Sequence, residues 1–302
     1  MSLEDLAGFY RKTGRVALLV GGGLWVGETH LSTMTQPGAI PVNPSAKELR
    51  GLLWRMRRMA AVFACDWDTG MVAYAHVLRD RQYGMHSLQR QFRQQTRLAL
   101  DACCVRPMRW DELAKSGLAV NRDTQERRGT NRPLYTDPLQ WSRFCSAANE
   151  TPGLEVSGCF TLAGDLAAYM TTWIHDKICH GLQLAWSSTH RHLHPTHALY
   201  FETARERISR SSIEAFMLGR QALPAMERVD QFKRHAGFLP EPRRIAVILH
   251  PLLHSCLLHP ASLHLLRKLR QRLNLRSSPL HNLDVIEAAS RTHIPPHTLP
   301  RP

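Results

Sequence analysis

The strongest constraint on the fold of this chain is a long stretch of alternating apolar and polar residues near its middle. Two alternating segments, 154–162 and 166–174, flank a turn made by Gly164 and Asp165. This alternation predicts two strands with one buried face each, and the Gly-Asp pair predicts a hairpin between them. Residues 177–187 continue the pattern and predict a third strand. The chain therefore contains a three-stranded meander.

Helices and further strands surround the meander. The patterns predict a glycine-rich hairpin over 16–26 and strands over 103–110, 213–219 and 244–249. They predict helices over 46–64, 87–97, 138–149, 196–209, 226–236 and 260–273, one helix from residue 112 and a separate helical turn from residue 123. This order fits neither a helical bundle nor a regular βαβ alternation. It predicts an α+β fold with a mixed, mostly antiparallel sheet flanked by helices.

The chain has 302 residues, which is long for one medium domain. Its patterns divide it into an N-terminal lobe (1–86), a main domain (87–252) and a basic C-terminal helix with a loose tail (253–302). Hydrophobic residues make up 43% of the chain, enough for a core, which excludes global disorder.

Charge and cysteine content narrow the class of protein. The formal net charge is +14, mostly from arginine, and such a field attracts RNA, phosphorylated nucleotides or anionic lipid. A basic surface with no such partner is the alternative. The seven cysteines form no C-x-x-C pair, which favours free thiols over a zinc ribbon or a disulfide framework. With no apolar run of roughly 20 residues, we expect a cytoplasmic protein.

Three segments carry a resemblance to a known family. Residues 229–238 read Val-Asp-Gln-Phe-Lys-Arg-His-Ala-Gly-Phe and precede a proline-bounded strand. Residues 158–169 contain the Gly-Asp turn followed by Ala-Ala-Tyr, and residues 97–128 join a helix, a strand and an arginine-rich helix. Together they resemble the GNAT fold of acyltransferases, in its bacterial FemABX-like branch, over about half of the chain.

The resemblance implies an activity and a place for it. Such domains transfer an acyl or aminoacyl group to an amine, in a cleft where two central strands splay apart. Acyl-CoA or aminoacyl-tRNA serves as donor, and no metal is expected. By the same resemblance, Lys233 lies near donor or acceptor, where its charge would stabilise a phosphate or an oxyanion, and residues 1–86 are a degenerate partner lobe.

The loop after the third strand departs from the pattern of CoA-dependent members. It lacks the glycine-rich pyrophosphate sequence, which puts CoA binding in the usual pose in doubt. It still precedes a helix, and a helix N-terminus attracts anions. Ser187, Ser188, Thr189 and Arg191 are therefore the candidate phosphate-binding residues, and a plain polar surface loop is the alternative.

Three residues are candidate general bases. His194 and His197 stand in or beside this loop, and a neutral imidazole accepts a proton near pH 7. Glu214 lies in an apolar stretch, where burial would raise its pKa. The histidines of the loop lack cysteine or acidic companions, so we expect no metal site.

Two functions of different classes follow. The first is amide formation by transfer of an acyl or aminoacyl group to an amine, with tRNA as a candidate partner. The second is a non-catalytic basic adaptor that binds RNA or anionic lipid on the same scaffold. The basic C-terminal helix is a candidate for peripheral contact with an anionic membrane.

Overall fold

The computed structural model describes residues 1–27, 32–67, 70–221, 226–252 and Lys268. The chain divides into two compact units that are discontinuous in sequence. The larger unit comprises Met1–Thr13, Ala75–Gly219 and Glu227–Glu241. The smaller unit comprises the described residues of 14–74, 220–226 and 242–252. These boundaries differ from the linear division of the chain at residues 86 and 252.

Eight α-helices form within the described residues. They are α1 (Leu3–Lys12), α2 (Ala46–Met56), α3 (Arg90–Ala102), α4 (Trp110–Arg127), α5 (Pro133–Thr136), α6 (Pro138–Asn149), α7 (Pro195–Ser209) and α8 (Glu227–His235). Two short 3-10 helices cover Met85–Ser87 and Ser188–Leu193. No helix in the described ranges is both long and apolar enough to cross a bilayer.

Eleven strands form within the same residues. They are β1 (Ala17–Val20), β2 (Gly23–Gly27), β3 (Ser32–Thr35), β4 (Ala60–Cys65), β5 (Met71–Leu78), β6 (Cys103–Met108), β7 (Leu154–Thr161), β8 (Leu166–His175), β9 (Ile178–Trp186), β10 (Ala215–Arg220) and β11 (Leu239–Leu249).

The larger unit contains a mixed sheet with the order β10-β9-β8-β7-β6. The pairs β6–β7, β7–β8 and β8–β9 are antiparallel, whereas β9 and β10 run parallel. The meander and its Gly164 turn, where φ is +90°, are as the sequence predicts. The prediction of an α+β fold with a mostly antiparallel sheet flanked by helices is confirmed.

Helices cover both faces of this sheet because successive side chains of a strand point to opposite sides. On β8, Met170 packs into a core with Leu199 and Phe201 of α7. The neighbouring Tyr169 points the other way, towards Asn121 of α4 and Trp141 of α6. Helix α7 therefore covers one face of the sheet, and α4 and α6 cover the other.

The smaller unit has the strand order β1-β2-β3-β4-β11, with β3 and β4 parallel and the other neighbours antiparallel. Helix α2 starts with a capping box in which Ser45 and Glu48 exchange hydrogen bonds. Its apolar side packs on β4 and β11 in a core that includes Phe63 and Ile248.

Several sequence predictions need correction. Residues 60–65 are not the end of a helix but strand β4, because Arg57 adopts a left-handed conformation (φ 52°) and ends α2 at Met56. All six residues of β4 are buried, so no alternation distinguished them from a helix. Strands β3 and β5 were not predicted.

The helix predicted from residue 112 and the helical turn from residue 123 are one helix, α4. Asp111 lies in the first turn of α4 and pairs with Arg109, and the Asp123 carboxylate bonds to Ser188 instead of starting a new helix. The helix predicted over 260–273 lies outside the described residues.

The contact between α4 and α6 gives a test of the packing. A Cβ atom on Gly117 would lie 2.9 Å from both Leu113 and Trp141 side-chain atoms, whereas one on Gly8 of α1 meets nothing within 4 Å. Gly117→Val should lower the free energy of unfolding in urea by about 1–3 kcal/mol, and the control Gly8→Ala should raise it by up to about 1 kcal/mol. Equal stability of Gly117→Val and the wild type would contradict this packing.

Candidate functional site

The sheet of the larger unit opens between strands β9 and β10. Strand β10 pairs with β9 at three positions only, and the last pair joins Met217 to His180. Beyond it β9 continues to Trp186 and β10 to Arg220 without further pairing between these described strands. Two parallel strands that start together and then separate leave a wedge-shaped gap between them.

A β-bulge lies at the start of this gap. The register of β8 and β9 joins Thr172 to Gly181 and Thr171 to Gln183, so Leu182 is passed over. A bulge adds one unpaired residue and bends its strand. Leu182 therefore has no register partner on β8, and it lies just past the last pair with β10.

The gap leads into a cavity of about 630 Å³. Because β9 has no strand neighbour on its β10 side here, helices from both faces of the sheet reach the same space. The lining residues come from β9, α4, α7, α8 and the segment after α4, and they are Asn121, Thr124, Gln125, Arg128, Thr130, Arg132, Tyr135, Leu182, Gln183, Leu184, Ala185, Trp186, Thr196, Tyr200, Arg228, Val229 and Phe232.

The chemistry of this lining is cationic and aromatic. Arg128, Arg132 and Arg228 contribute three positive charges, and none of the described residues that line the cavity is Asp, Glu, His or Lys. Burial raises the pKa of Tyr200 to about 12, so its hydroxyl stays protonated and can donate a hydrogen bond. Such a lining favours an anionic, ring-containing ligand.

Trp186 is held rigidly at the cavity wall. The Arg127 guanidinium lies 3.5 Å from the centre of the indole ring, a cation–π contact. Thr124 Oγ1 accepts from the Trp186 backbone N–H at 3.2 Å and donates to its carbonyl oxygen at 3.1 Å. Arg127 donates to the same carbonyl at 2.5 Å. The end of β9 is thereby tied to α4 instead of to β10.

The loop predicted to bind phosphate is engaged with the protein itself. Both the backbone N–H and the hydroxyl of Ser188 donate to the Asp123 carboxylate, at 2.6 Å each. Ser187 donates its N–H to Ala167. Thr189 and Arg191 lie in the 3-10 helix that fills the loop. None of these four candidate residues lines the cavity.

This loop does not fit a CoA pyrophosphate. Helix α7 begins with Pro195, which has no N–H, and the N–H of His197 donates to the His194 carbonyl. The helix end thus presents few free donors, and Asp123 brings a negative charge beside Ser188. A phosphate group placed here would meet an anion.

Lys233 lies in α8 but does not line the cavity. The cavity receives Val229 and Phe232 of this helix, whereas Lys233 is buried on its other side at 8% exposure. Burial lowers the pKa of the Lys233 ammonium, and nearby Asp230 opposes this shift. His76 Nδ1 lies 3.8 Å from Asp230 Oδ1 in the same buried group.

The candidate bases are also separated from the cavity. His197 packs between Phe92 and Phe232, with ring centres 4.5 and 5.0 Å away, and its neighbour His194 caps α7. Glu214 is exposed just before β10 and pairs with Lys177 at 2.8 Å. That hydrogen bond lowers the pKa of Glu214, so the carboxylate is ionised and not held protonated by burial.

None of the lining residues was predicted as a site residue from the sequence. Asn121 and Arg127 fell inside a segment chosen for resemblance, but neither received a role, and Arg128, Arg132, Trp186 and Arg228 were not named as site residues. The close spacing of three arginines at 127, 128 and 132 was a visible signal. The convergence of α4, α8 and β9 on one space was not visible without the fold.

Solved structures resemble this fold. FemX matches with a TM-score of 0.56 at 12% identity, over 83% of this chain and 92% of that one. The C-terminal domain of a candidate lysylphosphatidylglycerol synthetase from Agrobacterium fabrum matches with a TM-score of 0.52 at 15% identity, over 80% and 87%. L-PGS from Bacillus licheniformis matches with a TM-score of 0.51 at 9% identity, over 83% and 92%.

The chain shares the fold of FemX. The resemblance predicted from the sequence is confirmed at this level, and identities this low concern the fold alone. No family model matches the chain, and no curated protein does.

The half-buried His197 gives a test by pH. Burial lowers the pKa of its imidazole from 6.5 to about 4, with His194 a smaller cause. Between these values the unfolded chain binds a proton that the folded chain does not. The free energy of unfolding should therefore fall with falling pH by about 1.4 kcal/mol per pH unit from this residue.

His197→Phe should remove that contribution and flatten the slope in urea titrations between pH 6.5 and pH 4. His192→Phe, in the exposed part of the loop, is the matched control and should leave the slope unchanged. Identical slopes for His197→Phe and the wild type would show that folding does not lower the pKa of this imidazole.

Proposed function

We propose that this protein transfers an aminoacyl group from a nucleotide-bearing donor, of the aminoacyl-tRNA type, to an amine. The observation that carries the proposal is the parting of β9 from β10 after His180, which opens a cavity through the sheet beside the bulge at Leu182. The likeness in fold to FemX and to a lysylphosphatidylglycerol synthetase supports a transferase.

The lining favours the donor. Arg128, Arg132 and Arg228 supply positive charge for the phosphates that follow a terminal nucleotide. Trp186 offers an aromatic surface with Arg127 behind it, a common support for a stacked base. An acyl-CoA donor is less well supported, because the loop before α7 does not fit its pyrophosphate.

The reaction balances without a further reactant. The amine nitrogen attacks the ester carbonyl carbon, a C–N bond forms, and the C–O bond to the nucleotide breaks. The departing oxygen takes up the proton that the amine loses. Since none of the described lining residues is a carboxylate, an imidazole or a primary amine, catalysis rests on position and on stabilising the tetrahedral oxyanion.

Leu182 is the proposed oxyanion donor. A backbone N–H at a bulge, past the end of the β9–β10 pairing, needs no strand partner and lies at the entrance of the gap. Tyr200 also lines the cavity, and because burial holds its hydroxyl protonated, it is a second hydrogen-bond donor. Fixed donors aimed at a developing charge are the usual source of rate in acyl transfer.

The decisive test supplies labelled aminoacyl-tRNA and labelled acyl-CoA separately, together with a panel of primary amines, and detects amide products by mass spectrometry. We expect amide from aminoacyl-tRNA. Product from acyl-CoA alone would overturn the donor assignment. Salt-sensitive RNA binding with no product from either donor would favour the basic adaptor, the alternative function.

The oxyanion assignment predicts the outcome of one substitution pair. Leu182→Pro removes the backbone N–H and should lower kcat about 100-fold or more with little change in KM. Leu182→Ala keeps the N–H and should retain kcat within a few fold. Circular dichroism of both variants controls for folding, and equal kcat for the folded proline variant would refute the role of this N–H.

The cationic wall predicts a salt effect. Arg128→Gln and Arg228→Gln should each weaken binding of an amide-linked, non-hydrolysable aminoacyl-tRNA. Each should also reduce the slope of log affinity against log salt by about one. Arg97→Gln, on the exposed side of α3, is the control. An unchanged slope in both cavity variants would place the donor elsewhere.

A further inference from the structure

Helix α2 of the smaller unit has one buried side and one exposed side that carries positive charge. Its buried side is apolar and packs on β4 and β11 through Leu49, Leu52, Leu53 and Met56. On the exposed side, the spacing of Lys47, Gly51 and Trp54 places them along one line of the helix. Arg50 and Arg55 lie on either side of that line. These five residues form the α2 face.

The three cations of the α2 face are free to meet an external anion. None of them forms an ion pair with a carboxylate of the described residues. Glu48, the one carboxylate of α2, is held in the capping box by the N–H and the hydroxyl of Ser45. In the larger unit, by contrast, Arg106, Arg205 and Arg210 pair with glutamates. The α2 face therefore keeps a local positive field.

Trp54 adds an aromatic ring to this field. It is 56% exposed and is the only large apolar side chain exposed within Ala46–Met56, all of which the structure describes. Its ring packs edge-on against the buried imidazole of His250, with ring centres 4.5 Å apart. This contact orients the indole, and more than half of its surface stays open to solvent. An oriented, exposed ring among arginines can hold a stacked nucleobase.

Gly51 leaves a hollow in the middle of the α2 face. It is exposed, and a Cβ atom built on it meets nothing within 4 Å. A glycine inside a helix lowers its stability relative to alanine, and packing does not require one here. The missing side chain opens the surface between Lys47 and Trp54, where a ligand can approach the helix backbone closely.

The arrangement selects among polyanions. A helix that lies on a membrane turns a broad apolar side towards the lipid, whereas the apolar side of α2 is buried in the core. A base-paired duplex hides the faces of its bases in the stack, whereas a single strand offers them to aromatic side chains. An unpaired nucleotide with its phosphates therefore fits the α2 face best.

We propose that the α2 face binds single-stranded nucleic acid. A base stacks on Trp54, and Lys47, Arg50 and Arg55 hold the phosphates on either side of the hollow at Gly51. RNA and DNA share this chemistry. The proposal does not rest on the transfer reaction, because none of these residues lines the cavity of the larger unit.

Binding of short strands tests the face directly. Fluorescence anisotropy on the full chain would use labelled RNA and DNA of one sequence, about twelve nucleotides long, at several salt concentrations. Arg50→Gln and Arg55→Gln should each reduce the slope of log affinity against log salt by about 0.7. Trp54→Leu should weaken binding about tenfold, whereas Trp54→Phe keeps a ring and should retain most of the affinity. Arg143→Gln, exposed on α6, is the control.

Gly51→Gln separates a binding role from a structural one. Glutamine favours the helix and fills the hollow, so it should raise the urea midpoint of unfolding and still weaken binding about tenfold. A substitution that acts through folding alone would move both quantities in the same direction. All these losses should persist in protein that also carries Arg128→Gln and Arg228→Gln, because the cavity is lined by other residues.

Each outcome decides the proposal. Unchanged affinity in the α2 variants, with loss in the cavity variants alone, would overturn it and place nucleic-acid binding at the cavity. Equal affinity for a single strand and for a hairpin duplex would overturn the stacking on Trp54. Binding to vesicles of phosphatidylcholine and phosphatidylglycerol, with no binding of either strand, would assign the face to a membrane instead. Tighter binding of RNA or of DNA supports the proposal and identifies the strand, and a failed amide-forming assay leaves these results unchanged.

Discussion

The structure of the larger unit depends on where the pairing of two parallel strands stops. Strands β9 and β10 share three register pairs and then separate after His180. Unpaired strand edges are costly when buried, because their N–H and C=O groups need partners. Here α4 supplies them: Thr124 and Arg127 bond to the backbone of Trp186, and Arg128 reaches the Leu184 carbonyl at 3.5 Å. The gap is thus stabilised by side chains of one helix.

Helix α4 satisfies the edge of β9 where β10 no longer pairs with it, and this also explains why the cavity is cationic. A helix that satisfies a strand edge must carry donors, and arginine carries five. Of the two arginines at the end of α4, Arg127 bonds to the edge of β9, and Arg128 lines the cavity. Because no carboxylate lies beside these arginines among the described lining residues, the cavity suits an anionic donor. The attack of the amine then depends on how the substrates are positioned and on backbone N–H groups.

The sequence predicted the parts of this unit that rest on local pattern. The meander, the glycine turn and α7 followed from alternation, turn chemistry and helix periodicity, and residues 229–238 supported the resemblance. All residues of β4 are apolar, so its sequence shows no alternation that would indicate a strand. The division into discontinuous units depends on long-range contacts, and the site depends on which residues face a gap. Lys233 shows the limit: sequence placed it in α8, but only packing shows it buried beside Asp230 instead of lining the cavity.

The most direct test is a crystal structure of the full chain with an amide-linked aminoacyl-adenosine. The account predicts that β9 and β10 part after His180 and that the ligand carbonyl lies within hydrogen-bond distance of the Leu182 N–H. It also predicts that the base lies against Trp186. Strands hydrogen-bonded along their whole length, or a ligand bound outside the gap, would contradict it.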